Sequence, residues 1–139
     1  MDKAQKFSRV IALIEAELQR RQNLLADHQK KRDDFLTRLG HFSGMVAVGA
    51  PVLAVGVASE KIKELLQLQS DLIIELEELQ PAITGPFQVE GLDEDHLKIV
   101  DLILQNIKDV FEKALKGHRA LLDQVLDMYN EFHKLEPNE

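Results

Sequence analysis

Apolar residues recur every three or four positions along most of this chain, and that spacing predicts helices rather than strands. From Phe7 the stripe runs through Val10, Ile11, Ile14, Leu18 and Leu25, then Phe35, Leu36 and Leu39. Asp2, with Gln5 three residues on, has the form of a capping box. A first helix is therefore expected over about 2–39, with Gly40 as its stop. A second stripe, Ile62, Leu65, Leu66, Leu72, Ile73, Leu76 and Leu79, marks a second helix; Leu68 and Ile74 lie off it. A helix that is apolar on more than one side is covered by several neighbours.

The third stripe is the longest: Leu97, Val100, Leu104, Ile107, Phe111, Ala114, His118, Leu121, Val125, Met128, Phe132 and Leu135. Asp93 precedes it as the expected N-cap, with Glu94 and Asp95 placed to favour the positive end of the helix dipole. Leu92 and Leu97 flank the cap as in a hydrophobic staple. Between the second and third stripes, residues 80–92 hold Pro81, Gly85, Pro86 and Gly91, which predicts a connector. The fold class is thus all-α: an elongated, antiparallel up-down-up bundle of three long helices over 1–139, with coiled-coil-like packing and short tight turns. A fourth short helix is the variant if 42–58 stands alone.

The segment from Phe42 to Ser59 carries no charge at all. Pro51 suits the first turn of a helix, which extends the second helix back to about 51–79. Gly40 and Gly44, and Ala50, Ala54 and Ala58, then recur four apart, a spacing that lets helix backbones approach closely. Three readings compete for 42–58: a tight bundle end, an exposed apolar tip that docks a partner or enters lipid, and a single membrane-crossing helix. The third is disfavoured, because Pro51 falls near the middle and crossing would separate helices that need one another's apolar faces. Phe42, Met45, Val46, Val48, Val52, Leu53 and Val55 are the expected partner-binding residues, Met being adaptable on permissive surfaces.

Composition narrows the chemistry. The chain has 139 residues, no Cys and no Trp, and a net charge of −7. The missing Cys removes disulfides and thiolate chemistry, and the acidic balance argues against a nucleic-acid partner. Arg20–Arg21 and Lys30–Lys31–Arg32 read as solvated helix faces. The first residues carry no secretory pattern, so a cytoplasmic location is expected, with membrane association as the alternative. No Glu-x-x-His pair stands on two helices, and the Asp93 before His96 reads as a cap, so neither a metal nor another cofactor is expected. Phosphate-loop and nucleophile-turn motifs are absent. No enzyme is expected.

One polar set interrupts the stripes. His118 stands on the third stripe, and His28 and Gln69 take apolar positions in the first two helices. At 1.5 Å per residue they fall at similar heights in an up-down-up bundle, where a buried polar layer fixes register. Replacing His118 by Leu is then expected to raise thermal stability while loosening the specificity of assembly. The function expected is a non-catalytic, chaperone- or adaptor-like interaction module that binds a protein partner. The spare apolar faces favour a homodimer as well. The alternative is a membrane-active protein that inserts 42–58 into lipid.

Overall fold

The computed structural model describes residues 2–47, 55–87 and 91–135. These form three helices, α1 (Lys3–Ala47), α2 (Val55–Thr84) and α3 (Glu94–Leu135), with no strand among the described residues. The fold is a three-helix, bundle-like all-α arrangement in which adjacent helices touch.

Local signals set two of the starts. The Asp2 carboxylate accepts from the Gln5 amide at 2.8 Å, and Gln5 returns its side-chain oxygen toward the Asp2 amide at 3.4 Å. Asp93 accepts from the amide of His96 at 2.9 Å and from its ring Nδ1 at 2.6 Å. Each cap satisfies helix-start donors that have no partner within the helix.

Two helix ends differ from the sequence expectation. α1 does not stop at Gly40 but runs through Gly40 and Gly44 to Ala47. Each helical Gly costs about 1 kcal/mol relative to Ala. Burial of Phe42, two turns past the buried Phe35, offsets that cost. α2 likewise passes Pro81 and ends at Thr84. Carbonyls of its last turn and of the two residues after it are met from α1: Arg20 donates to the carbonyl of Ala82 at 3.0 Å, and Arg21 to those of Ile83 at 2.9 Å, Gly85 at 2.6 Å and Pro86 at 3.3 Å. Arg21 is buried, so the reading of Arg20–Arg21 as a solvated face is corrected for Arg21. The helix end supplies the acceptors that make a buried guanidinium tolerable.

Contacts divide the chain into two compact units. Unit 1 joins residues up to Asp27 with Glu78–Ala114. Its buried side chains are Ile14, Arg21, Ile83, Val100 and Phe111, and Phe87 stacks on the Arg21 guanidinium at 4.4 Å. Leu97, expected in the core and in a staple, is exposed here.

Unit 2 comprises His28–Glu77 and the chain from Leu115. Its core is Phe35, Phe42, Ala58, Ile62, Leu65, Leu72, Leu121 and Val125, with Leu39, Leu66, Leu68, Met128 and Tyr129 packed against it. Full burial of one such side chain contributes about 1.5–3 kcal/mol. In this unit α2 buries Leu72, Ile73 and Leu76 of its stripe and half-buries Leu68, but Ile74 is exposed, so the cover expected on its further apolar side is not found at that residue.

Candidate interaction site

Between the end of α1 and the start of α2, unit 2 opens a cleft of about 690 Å³. Thr37, Arg38, His41, Phe42 and Met45 line it from α1, and Val57, Lys61, Glu64, Leu65 and Leu68 from α2. Helical spacing explains both sets: 38, 41, 42 and 45 share a side of α1, and 57, 61, 64, 65 and 68 share a side of α2. Phe42 and Leu65 belong at once to the core and to the cleft, so the floor is held by buried packing. Met45 and Leu68 are half-buried and Val57 is exposed.

The rim carries Arg38, His41 and Lys61 against one acid, Glu64. Arg38 is paired to Asp34 at 3.2 Å and Lys61 to Glu64 at 3.8 Å, all with well-exposed side chains. Exposed pairs of this kind are worth little and exchange readily for another anion. The cleft therefore combines an apolar floor with a cationic edge in a protein whose net charge is −7. A second depression, of about 440 Å³, shares Arg38 and Leu68 with it and is otherwise lined by α1 and α2 residues such as Lys31 and Glu75.

The polar residues of the stripes meet inside the same unit. His28, Gln69 and His118 are all buried. Gln69 donates from its amide nitrogen to Nδ1 of His118 at 3.0 Å and to the His118 carbonyl at 2.9 Å. His28 donates from Nε2 to the Leu72 carbonyl at 2.8 Å, and its ring meets that of His118 edge to face at 4.9 Å. Burial holds the His118 imidazole at about 4 instead of its ordinary 6.5, and the nearby His28 and Arg32 push in the same direction. Gln69 Oε1 has no hydrogen-bond partner.

The structure separates the expected partner-binding residues. Phe42 and Met45 line the cleft, whereas Val46 is exposed outside it. Val55 is the first residue of α2. Val48, Val52 and Leu53 lie outside the described residues.

The expected close helix packing is not found at Gly40 or Gly44, where an added Cβ would meet nothing within 4 Å. Both glycines are exposed on α1, so no described neighbour uses their small size. Ala58 is buried in the core, and Ala50 and Ala54 lie outside the described residues. Residues 42–47 end α1 and 55–58 begin α2, and no described helix is long and apolar enough to cross a membrane. Among the described residues no cluster of three His, Asp or Glu side chains could hold a metal ion.

Sequence reasoning did not find the cleft's cationic rim, because exposed Arg and Lys on a helix carry no periodic signal. Leu68 left a trace as an apolar residue off its stripe. Arg21 left none, since only the position of the α2 end makes it an acceptor-filled site. Comparison with family models, curated proteins and solved structures yields no match to this chain.

Proposed function

We propose that this protein is a non-catalytic interaction module whose α1–α2 cleft receives an apolar segment of a partner protein. The observation that carries this reading is the cleft itself: about 690 Å³, floored by Phe42, Met45, Leu65 and Leu68 and edged by Arg38, His41 and Lys61. That volume falls in the range of ordinary binding sites. Long open grooves between helices take amphipathic helices through anchors one turn apart. The cationic edge favours a segment with acidic residues flanking its apolar anchors, because complementary rim charge sets partner choice and encounter rate. A chaperone-like or adaptor-like role is the form of this function that suits an adaptable Met45 and a half-open floor.

Fluorescence anisotropy with labelled amphipathic peptides tests the reading. Peptides with apolar anchors and acidic flanks bind, and matched peptides with basic flanks bind at least several-fold more weakly. Leu68→Asp abolishes binding and Lys61→Glu reverses the flank preference. Failure of every peptide to bind, or binding that ignores Leu68→Asp, refutes the proposal. Flotation with liposomes in place of peptide binding points to the membrane-active class instead.

A further inference from the structure

In unit 2, α3 is held through one side. His118, Leu121 and Val125 share that side by helical spacing, and all three are buried. Leu121 and Val125 join the core that holds Phe42 and Leu65. Those two side chains also floor the cleft, so α3 backs the cleft from within the core.

The hydrogen bonds of the polar layer respond unequally to a proton. His28 donates from Nε2 to the Leu72 carbonyl at 2.8 Å, and this link of α1 to α2 keeps its hydrogen when the ring is protonated. The link of α2 to α3 is different, because Gln69 needs Nδ1 of His118 as an acceptor at 3.0 Å. A proton on Nδ1 sets donor against donor. Turning the amide would present Oε1, the atom without a partner, to the new N–H. That oxygen would then also face the His118 carbonyl, which the amide nitrogen meets at 2.9 Å.

The surroundings oppose the charge as well. From α1 come the His28 ring, edge to face at 4.9 Å, and the half-buried Arg32. From α2 comes the uncharged Gln69, and Glu77 of that helix is paired with Arg119, next to His118, at 3.3 Å. Among the described residues no carboxylate hydrogen-bonds either imidazole. An imidazolium at His118 is thus buried beside a guanidinium without a bonded counter-charge. Gly117, the preceding residue, loosens α3 relative to Ala. Space does not demand it, since an added Cβ would come only to 4.0 Å from Arg32. The part of α3 that belongs to unit 2 begins two residues earlier, at Leu115.

We propose that the His28–Gln69–His118 layer is an acid-operated latch: protonation of His118 frees the unit 2 part of α3 while unit 1 stays closed, and removes the backing of the cleft floor. Acid thereby weakens the cleft's hold on its occupant. The latch stands without the function proposed above; its effect on partner binding rests on that reading.

Hydrogen exchange on the full chain at pH 7.5 and 5, corrected for intrinsic rates, tests the latch without any ligand. Protection at Gly117–Tyr129 should fall about thirtyfold, as follows from a ring held at about 4 when closed and at its ordinary 6.5 when open. At pH 5 it should lie below the protection at Val100–Val110. The double variant Gln69→Leu with His118→Leu should lose the pH dependence. Unchanged protection at Gly117–Tyr129 overturns the latch, as does the same dependence in the double variant. Equal protection of the two segments at pH 5, the mark of one global unfolding, overturns it too. Anisotropy with the acidic-flanked peptide reads the cleft separately. From pH 7.5 to 5, affinity should fall several-fold more in the wild type than in the double variant, which keeps every rim residue. An equal change in both overturns the control of the cleft by the latch. No binding by either at pH 7.5 refutes the cleft's function, and exchange still decides the latch.

Discussion

The side-chain nitrogen of Gln69 donates to two atoms of one residue, Nδ1 and the carbonyl oxygen of His118, at 3.0 and 2.9 Å. Because Nδ1 accepts, His118 is the neutral tautomer that carries its proton on Nε2. The pairing links α2 to α3 at one position. A slide of either helix by one turn would bury both polar groups unpaired, at about 1–3 kcal/mol each. This is the physical content of a register-fixing layer.

Acid should destabilise the protein in two stages. His118 is held at about 4 when folded against an ordinary 6.5. Below pH 6.5 the unfolded chain takes up a proton that the folded chain refuses, so stability falls as pH drops from about 6.5 to about 4, by up to about 3 kcal/mol. Around the imidazole stand His28 and Arg32 from α1 and Gln69 from α2. Glu17 behaves differently: a hydrogen bond from Arg20, joined by Arg21, holds its carboxylate at about 2 against an ordinary 4.5. Its contribution is complete above about 4.5 and is lost as pH falls toward 2. Urea unfolding at stepped pH should show the first stage vanish in a His118 variant and the second shrink in Glu17→Gln.

Single and double replacements in the polar layer should not add. The lone change His118→Leu, attractive when only the stripe is considered, leaves a Gln69 amide hydrogen buried without its ring acceptor. It should cost about 1–3 kcal/mol. Gln69→Leu alone should cost a similar amount, by stranding Nδ1. The double variant, apolar on both sides, should recover most of that loss. A double-mutant cycle in urea measures the coupling. If instead the two costs add in full, the layer contributes nothing as a pair.

Arg21 is expected to be among the most sensitive positions outside the cores. Its guanidinium serves three carbonyls and the Glu17 carboxylate, at 2.9 Å, while lying on Phe87. Arg21→Ala should destabilise by about 2–4 kcal/mol. Arg21→Lys should not rescue it, because an ammonium cannot present a planar fork or stack in the same way. Hydrogen exchange at residues 78–87 should rise in both variants relative to the rest of α2.

Glycines should respond with opposite signs. Gly40→Ala and Gly44→Ala each meet open space on a continuous helix, so each should raise stability by up to about 1 kcal/mol. At Gly85 an added Cβ would press into the carbonyl oxygen of Pro81, the acceptor of the Gly85 amide at 3.1 Å. Gly85→Ala should therefore destabilise by about 1–3 kcal/mol. Thermal melts of the three variants decide it.

Much of the fold was readable from residue order alone. The 3–4 spacing of apolar positions determined three helices, because the periodicity of a helix is a local property that a side-chain pattern carries with it. Asp2 with Gln5, and Asp93, determined two helix starts for the same reason: a cap acts within three or four residues. The polar interruptions at His28, Gln69 and His118 were visible as breaks in apolar stripes. What those side chains touch was decided by the packing of three segments distant in sequence.

Tertiary structure alone decided the rest. α2 passes Pro81 because α1 brings Arg20 and Arg21 to its last carbonyls. α1 passes Gly40 because Phe42 finds a buried place on the far side of it. The cleft exists only where the end of α1 and the start of α2 come together, and its Arg38 and Lys61 come from surface positions that local spacing treats like any other. Local order in the chain specifies which face of a helix is apolar. Only the partner that covers a face, or leaves it uncovered, specifies where binding can occur.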